Sequence, residues 1–381
     1  MTNAVPQIPR DLLPADGRFG AGPSRVRRSA IDALSGVADT YLGTSHRQPT
    51  VRDQVARLRR GLTELLELPD SWEIVLGNGG STIFWDAATF GLVERRSQHV
   101  TCGEFSGKFA AATTAAPFLD EPDVISVEPG RSGAPSALAG VDAYCLTHNE
   151  TSTGVMNPIE RPTGADDGSL VLVDATSVAG AARWDHAAVD VYYFAPQKVL
   201  ASDGGLWLAA CSPAAIERIG AIGASDRWIP TGIDLATALD NSRKEQTYNT
   251  PALATIFLAA EQVDWLNGEG GLDFAERRCR ATSAAIYDWA AASPVATPFV
   301  DDPAARSIVV CTVDFDGVDA AEVAKVLRAN GVVDVEPYRK LGRNQLRIAT
   351  FPAVPVADVE ALLACIDWVV ERVGNGEGAV A

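Results

Sequence analysis

Val51, Val55, Leu58, Leu62 and Leu65 recur every three or four residues, the spacing of one face of an α-helix, and Pro69 marks where that helix has ended. From about Ser71 to Ala221 the pattern becomes short apolar runs separated by helical stretches. The runs predict strands at 72–76, 99–102, 143–147, 170–174, 189–194 and 206–211. Strands alternating with helices argue for an α/β fold built on a mostly parallel sheet with crossover helices. Long helices are expected at 251–266 and 272–291. After the proline-containing break at 294–303 the pattern restarts, with strands at 307–313 and 345–350 and helices at 320–330 and 356–373. The expected organisation is a large domain at 18–268 and a smaller C-terminal α/β domain at 269–374, with the N-terminal segment 1–30 packing against the smaller one. There is no internal repeat, and the glycine-rich tail after Arg372 reads as disordered.

A chain of 381 residues, 47% hydrophobic and 21% charged, has room for about two domains with substantial cores. No apolar run approaches the length of a membrane span, and the N-terminal twenty residues contain no apolar stretch of the signal-peptide kind. Six cysteines at 102, 145, 211, 279, 311 and 365 form no close pair, which fits reduced thiols and a cytoplasmic location. The formal charge of −17 opposes non-specific attraction to nucleic acid or anionic lipid, so neither partner is expected. An anionic substrate would have to be captured by a few local arginines. With four histidines and neither HExxH nor CxxC, no metal site is expected.

The candidate chemistry centres on VYYFAPQKVLASDGG, residues 191–205, which delivers Lys198 to the carboxyl end of an aromatic-rich strand. Desolvation there disfavours the ammonium and frees the amine to attack a carbonyl carbon, whereas an ordinary loop lysine would sit in solvent. Asp174 closes the strand LVLVD at 170–174, so acid and amine belong to the same sheet edge, where open α/β sheets bind ligands. Pyridoxal phosphate needs such a pair: an amine to hold its aldehyde and a carboxylate to keep its pyridine nitrogen protonated. A strand-end aspartate otherwise serves as a turn or helix cap.

The stretch GNGGST at 77–82, between a strand and a helix from about Ile83, fits a phosphate cradle with Ser81 and Thr82 as hydroxyl donors. It is not a dinucleotide fingerprint, because Thr82 replaces the third glycine, nor a Walker loop, because the only GK pair is followed by Phe109. Phe105 is placed to stack on a flat ring, or else to fill core.

Seven segments carry a family resemblance: RFGAGPS at 18–24, TSHRQPT at 44–50, GNGGST, HNETSTG at 148–154, VDATS at 173–177, FAPQK at 194–198 and TYNTP at 247–251. In that order the chain resembles the fold-type-I, class V aminotransferases, and within them the phosphoserine aminotransferase family. The resemblance implies that Lys198 binds the cofactor's aldehyde and Asp174 its ring nitrogen. Thr151 would meet the phenolic oxygen, and Ser81, Thr82 and Gln197 the phosphate. Asn249 and Thr250 would reach in from a second subunit, making a homodimer part of the site. For the substrates, glutamate and phosphoserine, it implies His46 and Arg47 at the phosphate or distal carboxylate and Arg347 at the α-carboxylate, with Arg339 or Arg343 adding phosphate contacts.

Two departures stand out. Phe105 occupies the stacking position where the family often has tryptophan, and Tyr338 stands where a histidine is frequent, in a segment, 338–347, longer than usual. The implied activity is transamination between glutamate and 3-phosphohydroxypyruvate, in serine biosynthesis, with pyridoxine biosynthesis as a second implied role. Rivals are a class V transaminase acting on alanine, serine or glyoxylate, a cysteine desulfurase, which usually has histidine where Gln197 stands, and a nucleotide-binding oxidoreductase.

Overall fold

The computed structural model describes residues 5–374. The helices are α1 (Arg28–Tyr41), α2 (Pro49–Leu65), α3 (Ser81–Gly91), α4 (Glu104–Thr114), α5 (Pro213–Gly223), α6 (Leu235–Ser242), α7 (Leu253–Gly268), α8 (Gly271–Ala292), α9 (Ala320–Ala329) and α10 (Val356–Gly374). The strands are β1 (Glu73–Gly79), β2 (Ser97–Thr101), β3 (Asp123–Ser126), β4 (Ala143–Thr147), β5 (Asn149–Glu150), β6 (Val155–Met156), β7 (Leu170–Asp174), β8 (Val191–Phe194), β9 (Gly205–Cys211), β10 (Ala296–Pro298), β11 (Val310–Phe315) and β12 (Gln345–Ala349).

Seven strands form one sheet in the order β1-β9-β8-β7-β4-β2-β3. The pairs among β8, β7, β4, β2 and β3 are parallel, and β9 runs antiparallel to both its neighbours. The carboxyl ends of β1, β2, β4, β7 and β8 therefore meet at one edge. Successive residues of each central strand serve opposite faces, the two-residue period of a strand. Val171, Val173, Tyr192 and Phe194 pack with Leu58 and Leu62 of α2 and Ile256 and Val263 of α7. Leu172, Val191 and Tyr193 pack on the other face with Phe84 and Trp85 of α3, Phe109 of α4 and Ile219 of α5. Burial on both faces explains why these strands read as unbroken apolar runs.

The five apolar positions of α2 are fully buried, as the helical spacing requires. A second sheet, β10-β11-β12, is antiparallel and packs with α9, α10 and the latter half of α8. Ile8 and Phe19 of the N-terminal segment are buried in that same cluster. α8 joins the two cores: Ala275 and Cys279 belong to the larger one, and Ile286 and Tyr287 to the smaller. The tail expected to be disordered lies, beyond residue 374, outside the described residues. Among the described residues no helix is long and apolar enough to cross a membrane.

Several boundaries differ from expectation. β1 continues three residues past Leu76, because Gly77, Asn78 and Gly79 pair with Trp207, Leu206 and Gly205 of β9. α7 begins at Leu253 rather than 251, because Ala252 is still extended. β11 begins at Val310 rather than 307, since the Ser307 hydroxyl accepts the amides of Val309 and Val310 and holds a turn there.

Candidate active site

Lys198 lies in the turn after β8, and Asp174 ends β7 directly opposite Tyr193 of β8. Both side chains line one pocket of about 170 Å³, together with Gly80, Ser81, Thr82, Trp85, Phe105, Thr147, Asn149, Thr151, Thr176 and Gln197. Thr147 and Asp174 come from the carboxyl ends of β4 and β7, Gly80, Thr176, Gln197 and Lys198 from the turns after β1, β7 and β8, Asn149 and Thr151 from the segment after β4, and Ser81, Thr82, Trp85 and Phe105 from the N-terminal turns of α3 and α4.

The Lys198 amine donates to the Ala21 carbonyl at 2.6 Å. Burial lowers its pKa to about 8; the positive charge of Arg347 adds to the depression, and Asp174 opposes it in smaller measure. Asp174 is 4% exposed, and burial pushes its carboxyl above the usual range, against the hydrogen bonds it accepts. Those bonds use both oxygens: Oδ1 accepts the Thr176 amide at 2.9 Å, and Oδ2 the Trp85 indole N–H at 3.1 Å.

The glycine stretch needs correction as a cradle. A Cβ at Gly77 would lie 2.3 Å from the Trp207 ring, so that glycine makes room for an aromatic side chain on β9. Gly79, at φ +121°, supplies the left-handed conformation from which the chain turns toward α3. The pocket wall starts only at Gly80, and α3 begins at Ser81, two residues before the expected Ile83. The amides of Ile83 and Phe84 both donate to the Gly80 carbonyl, and Ser81 and Thr82 head the helix at the positive end of its dipole.

Phe105 lines the pocket from the first turn of α4. That turn is held by Glu150, which is fully buried and accepts from the amides of Phe105 and Ser106 and the hydroxyls of Ser106 and Ser152. Thr151 follows on the same segment. Arg347, on β12, donates from Nη1 to the Thr151 carbonyl at 3.2 Å, its guanidinium lies 5.4 Å from the centre of the Tyr338 ring, and its buried Nε has no partner. Burial lowers its pKa.

The other expected site residues lie elsewhere. Arg339 is exposed in the single turn Arg339–Leu341 and does not line the pocket. Arg343 pairs with Asp314 and stacks on Phe299, so its guanidinium is already engaged rather than free for a phosphate. His46 is buried, with Nδ1 3.2 Å from the Thr250 hydroxyl and Nε2 without a partner; burial, and then Arg47, lower its pKa. Arg47 is exposed, and Asn249 lines a separate cleft with Asn78, Trp207 and Tyr248. None of His46, Arg47, Asn249 and Thr250 lines the pocket of its own chain.

Trp85, Thr147, Asn149 and Thr176 were not anticipated as pocket residues. Thr176 was within reach, since it lies in the quoted VDATS, and Trp85 falls one helical turn after Ser81. Asn149 was within reach too, since it lies in the quoted HNETSTG, whereas Thr147 carried no pattern that separates it from core.

The pocket suits pyridoxal phosphate. Gln197 Oε1 and Asn149 Oδ1 are buried in its wall without partners, a helix N-terminus faces one end, and a buried carboxylate awaits a cationic N–H. A Cβ on Gly22, at φ +140°, would fall 1.8 Å from Lys198 Nζ. Gly22→Ala should therefore displace the lysine and reduce the visible absorption of protein mixed with the cofactor by about tenfold or more. Unchanged absorption would show that the lysine does not need this passage.

Comparison with known proteins agrees. The Aminotransferase class-V family model matches residues 136–335. A phosphoserine aminotransferase of a Nocardioides species is 63% identical over 98% of this chain and 100% of its own length, and one of Rhodococcus jostii is 56% identical over 97% and 100%. The crystal structure of a phosphoserine aminotransferase from Cytophaga hutchinsonii superposes with a TM-score of 0.85 at 25% identity, covering 92% of this chain and 98% of that one. With this fold, this pocket and these relatives, the chain belongs to the class-V aminotransferases, pyridoxal-phosphate enzymes of fold type I, among its phosphoserine aminotransferase members.

Proposed function

We propose that the protein exchanges an amino group between glutamate and 3-phosphohydroxypyruvate, giving O-phosphoserine and 2-oxoglutarate. The observation that carries the chemistry is that Lys198 and Asp174 line one pocket, with Arg347 beside it, bonded to the carbonyl of the lining residue Thr151 and close enough to depress the Lys198 pKa. The names of the relatives supply the substrate.

When bound, pyridoxal phosphate supplies an aldehyde that takes up the amino group and a ring that draws electrons from the α-carbon. Lys198 Nζ is the group that would hold the cofactor's aldehyde. When free, the Lys198 amine, with its pKa lowered to about 8, would be the base that moves the proton of the substrate α-carbon. Asp174 holds the proton on the ring nitrogen. Ser81, Thr82 and Gln197 bind the phosphate, Thr151 the phenolic oxygen, and Phe105 covers the ring. Arg347 forks the α-carboxylate with the guanidinium edge that the protein leaves unpaired.

The enzyme works as a homodimer. His46, Arg47, Asn249 and Thr250 cluster outside their own chain's pocket, and exposed Leu42 and Tyr248 lie close to them in sequence. The cluster therefore serves the second subunit's pocket, with Asn249 and Thr250 at the cofactor phosphate and His46 and Arg47 at the substrate's second anion. Arg339, exposed and without an ion-pair partner among the described residues, adds to that anion subsite. The chain divides into domains 18–268 and 269–374. Six separate, buried cysteine thiols support a cytoplasmic location, and the same anion pocket accommodates the related phosphorylated oxo-acid on the route to pyridoxine.

The test compares O-phosphoserine, L-alanine and L-serine as donors to 2-oxoglutarate. O-phosphoserine should lead by about 100-fold or more in kcat/KM; parity with alanine would favour the alanine or serine–glyoxylate alternative. Arg347→Lys keeps the charge but loses the fork, so KM for phosphoserine and for glutamate should both rise about 10- to 100-fold with kcat less affected. A change confined to one donor would remove Arg347 from the shared carboxylate.

A further inference from the structure

Ser81 and Trp85 stand one turn apart on α3, and each reaches the end of β7 by a hydrogen bond. From Ser81 the path runs through its 2.6 Å contact with the Thr176 hydroxyl, from the Thr176 amide to Asp174 Oδ1 at 2.9 Å, and from Asp174 Oδ2 back to the Trp85 indole at 3.1 Å. The circuit closes on the helix where it began. Trp85 is 4% exposed and lines the pocket, the only tryptophan among the described residues to do so.

We propose that Trp85 is a positioning residue for the cofactor's ring nitrogen: its indole N–H fixes the plane of the Asp174 carboxylate and leaves one oxygen lone pair aimed into the pocket. The inference rests on pyridoxal phosphate as the cofactor. A carboxylate anchored only through Oδ1 could swing about its Cβ–Cγ bond; a second donor on Oδ2 removes that freedom. An N–H donor also stabilises the charged form of an acid that burial pushes toward neutrality, and only the charged form can hold a proton on the ring nitrogen. Because Ser81 heads the same helix, the phosphate end and the ring-nitrogen end of the site are set at a fixed spacing. That spacing is four residues, about 6 Å along the axis.

The test uses the full-length protein loaded either with pyridoxal phosphate or with its analogue carrying carbon in place of the ring nitrogen. Release after rapid dilution is followed by absorption. Trp85→Phe should release the natural cofactor about tenfold faster, as for loss of a hydrogen bond to a charged group, while release of the carbon analogue changes by less than about twofold. Trp85→His, which restores a ring N–H, should recover part of the difference. Equal acceleration for both cofactors, the signature of a cavity alone, would overturn the inference, as would no acceleration for the natural one.

Should Trp85→Phe not fold, the unmodified protein decides. With tryptophan side chains labelled with nitrogen-15, one indole resonance of the eight tryptophans should shift between the two loaded forms, and the absence of any shift would overturn the inference. Failure of the unmodified protein to take up pyridoxal phosphate would bring down the cofactor assignment itself, a separate outcome.

Discussion

Lys198→Ala is expected to lower amino transfer from O-phosphoserine by about 10⁴-fold or more, because one side chain both holds the cofactor and moves the α-proton. No neighbour can replace it. The other four lysines, at 108, 244, 325 and 340, are exposed and do not line the pocket. The fold should survive, and its pH response should reveal the residue's burial. A lysine whose pKa is 10.5 in the unfolded chain and about 8 in the folded one is protonated only in the unfolded state between those values. Its contribution therefore makes the cofactor-free protein gain stability as pH rises from about 8 to about 10.5, and it costs stability below that window. The variant should lack this rise. Denaturant titrations of both proteins across the window check it, and an identical pH response would place the amine in solvent.

Asp174→Asn should cost about 10²- to 10³-fold in kcat, since an amide cannot hold a proton on the ring nitrogen. The structure adds a second effect. Both carboxylate oxygens accept hydrogen bonds, from Thr176 and from Trp85, so either orientation of the amide sets an NH₂ group against a donor. That mismatch in a buried site should destabilise the protein by about 1–3 kcal/mol. Steady-state rates at saturating cofactor, together with a denaturation curve, separate the two effects. A variant with full kcat would remove Asp174 from the chemistry, and one with unchanged stability would show that the two donors do not both bind the carboxylate.

The parts of this molecule legible in its sequence are those where a single physical pattern dominates. The sheet strands are apolar on successive positions because helices cover both faces, and α2 keeps its spacing because one face alone is buried. Lys198 and Asp174 stand out because a charged residue that ends such a strand, or sits in the turn after it, lies at the sheet edge. What stayed hidden depends on contacts distant in sequence. Gly77 fits a phosphate loop until Trp207 is seen against it, 130 positions later. Trp85 looks like helix core, which it also is, until its indole N–H is found on Asp174. Arg343 resembles a free arginine beside Arg347, and only the pairing of β11 with β12 brings Asp314 to it. β3 escaped notice because its residues alternate between half-buried and exposed at the sheet edge, without the apolar run of the central strands. Family resemblance selected the His46 and Thr250 segments, and their mutual contact across about 200 positions was not foreseeable from either.

The central claim, that Lys198 carries the cofactor beside Asp174, is tested most directly by borohydride reduction of the protein loaded with pyridoxal phosphate, followed by peptide mapping. The reduced cofactor should be found on the peptide containing Lys198 and on none of those containing Lys108, Lys244, Lys325 or Lys340. Label on another lysine, or no covalent label at all, would contradict the account.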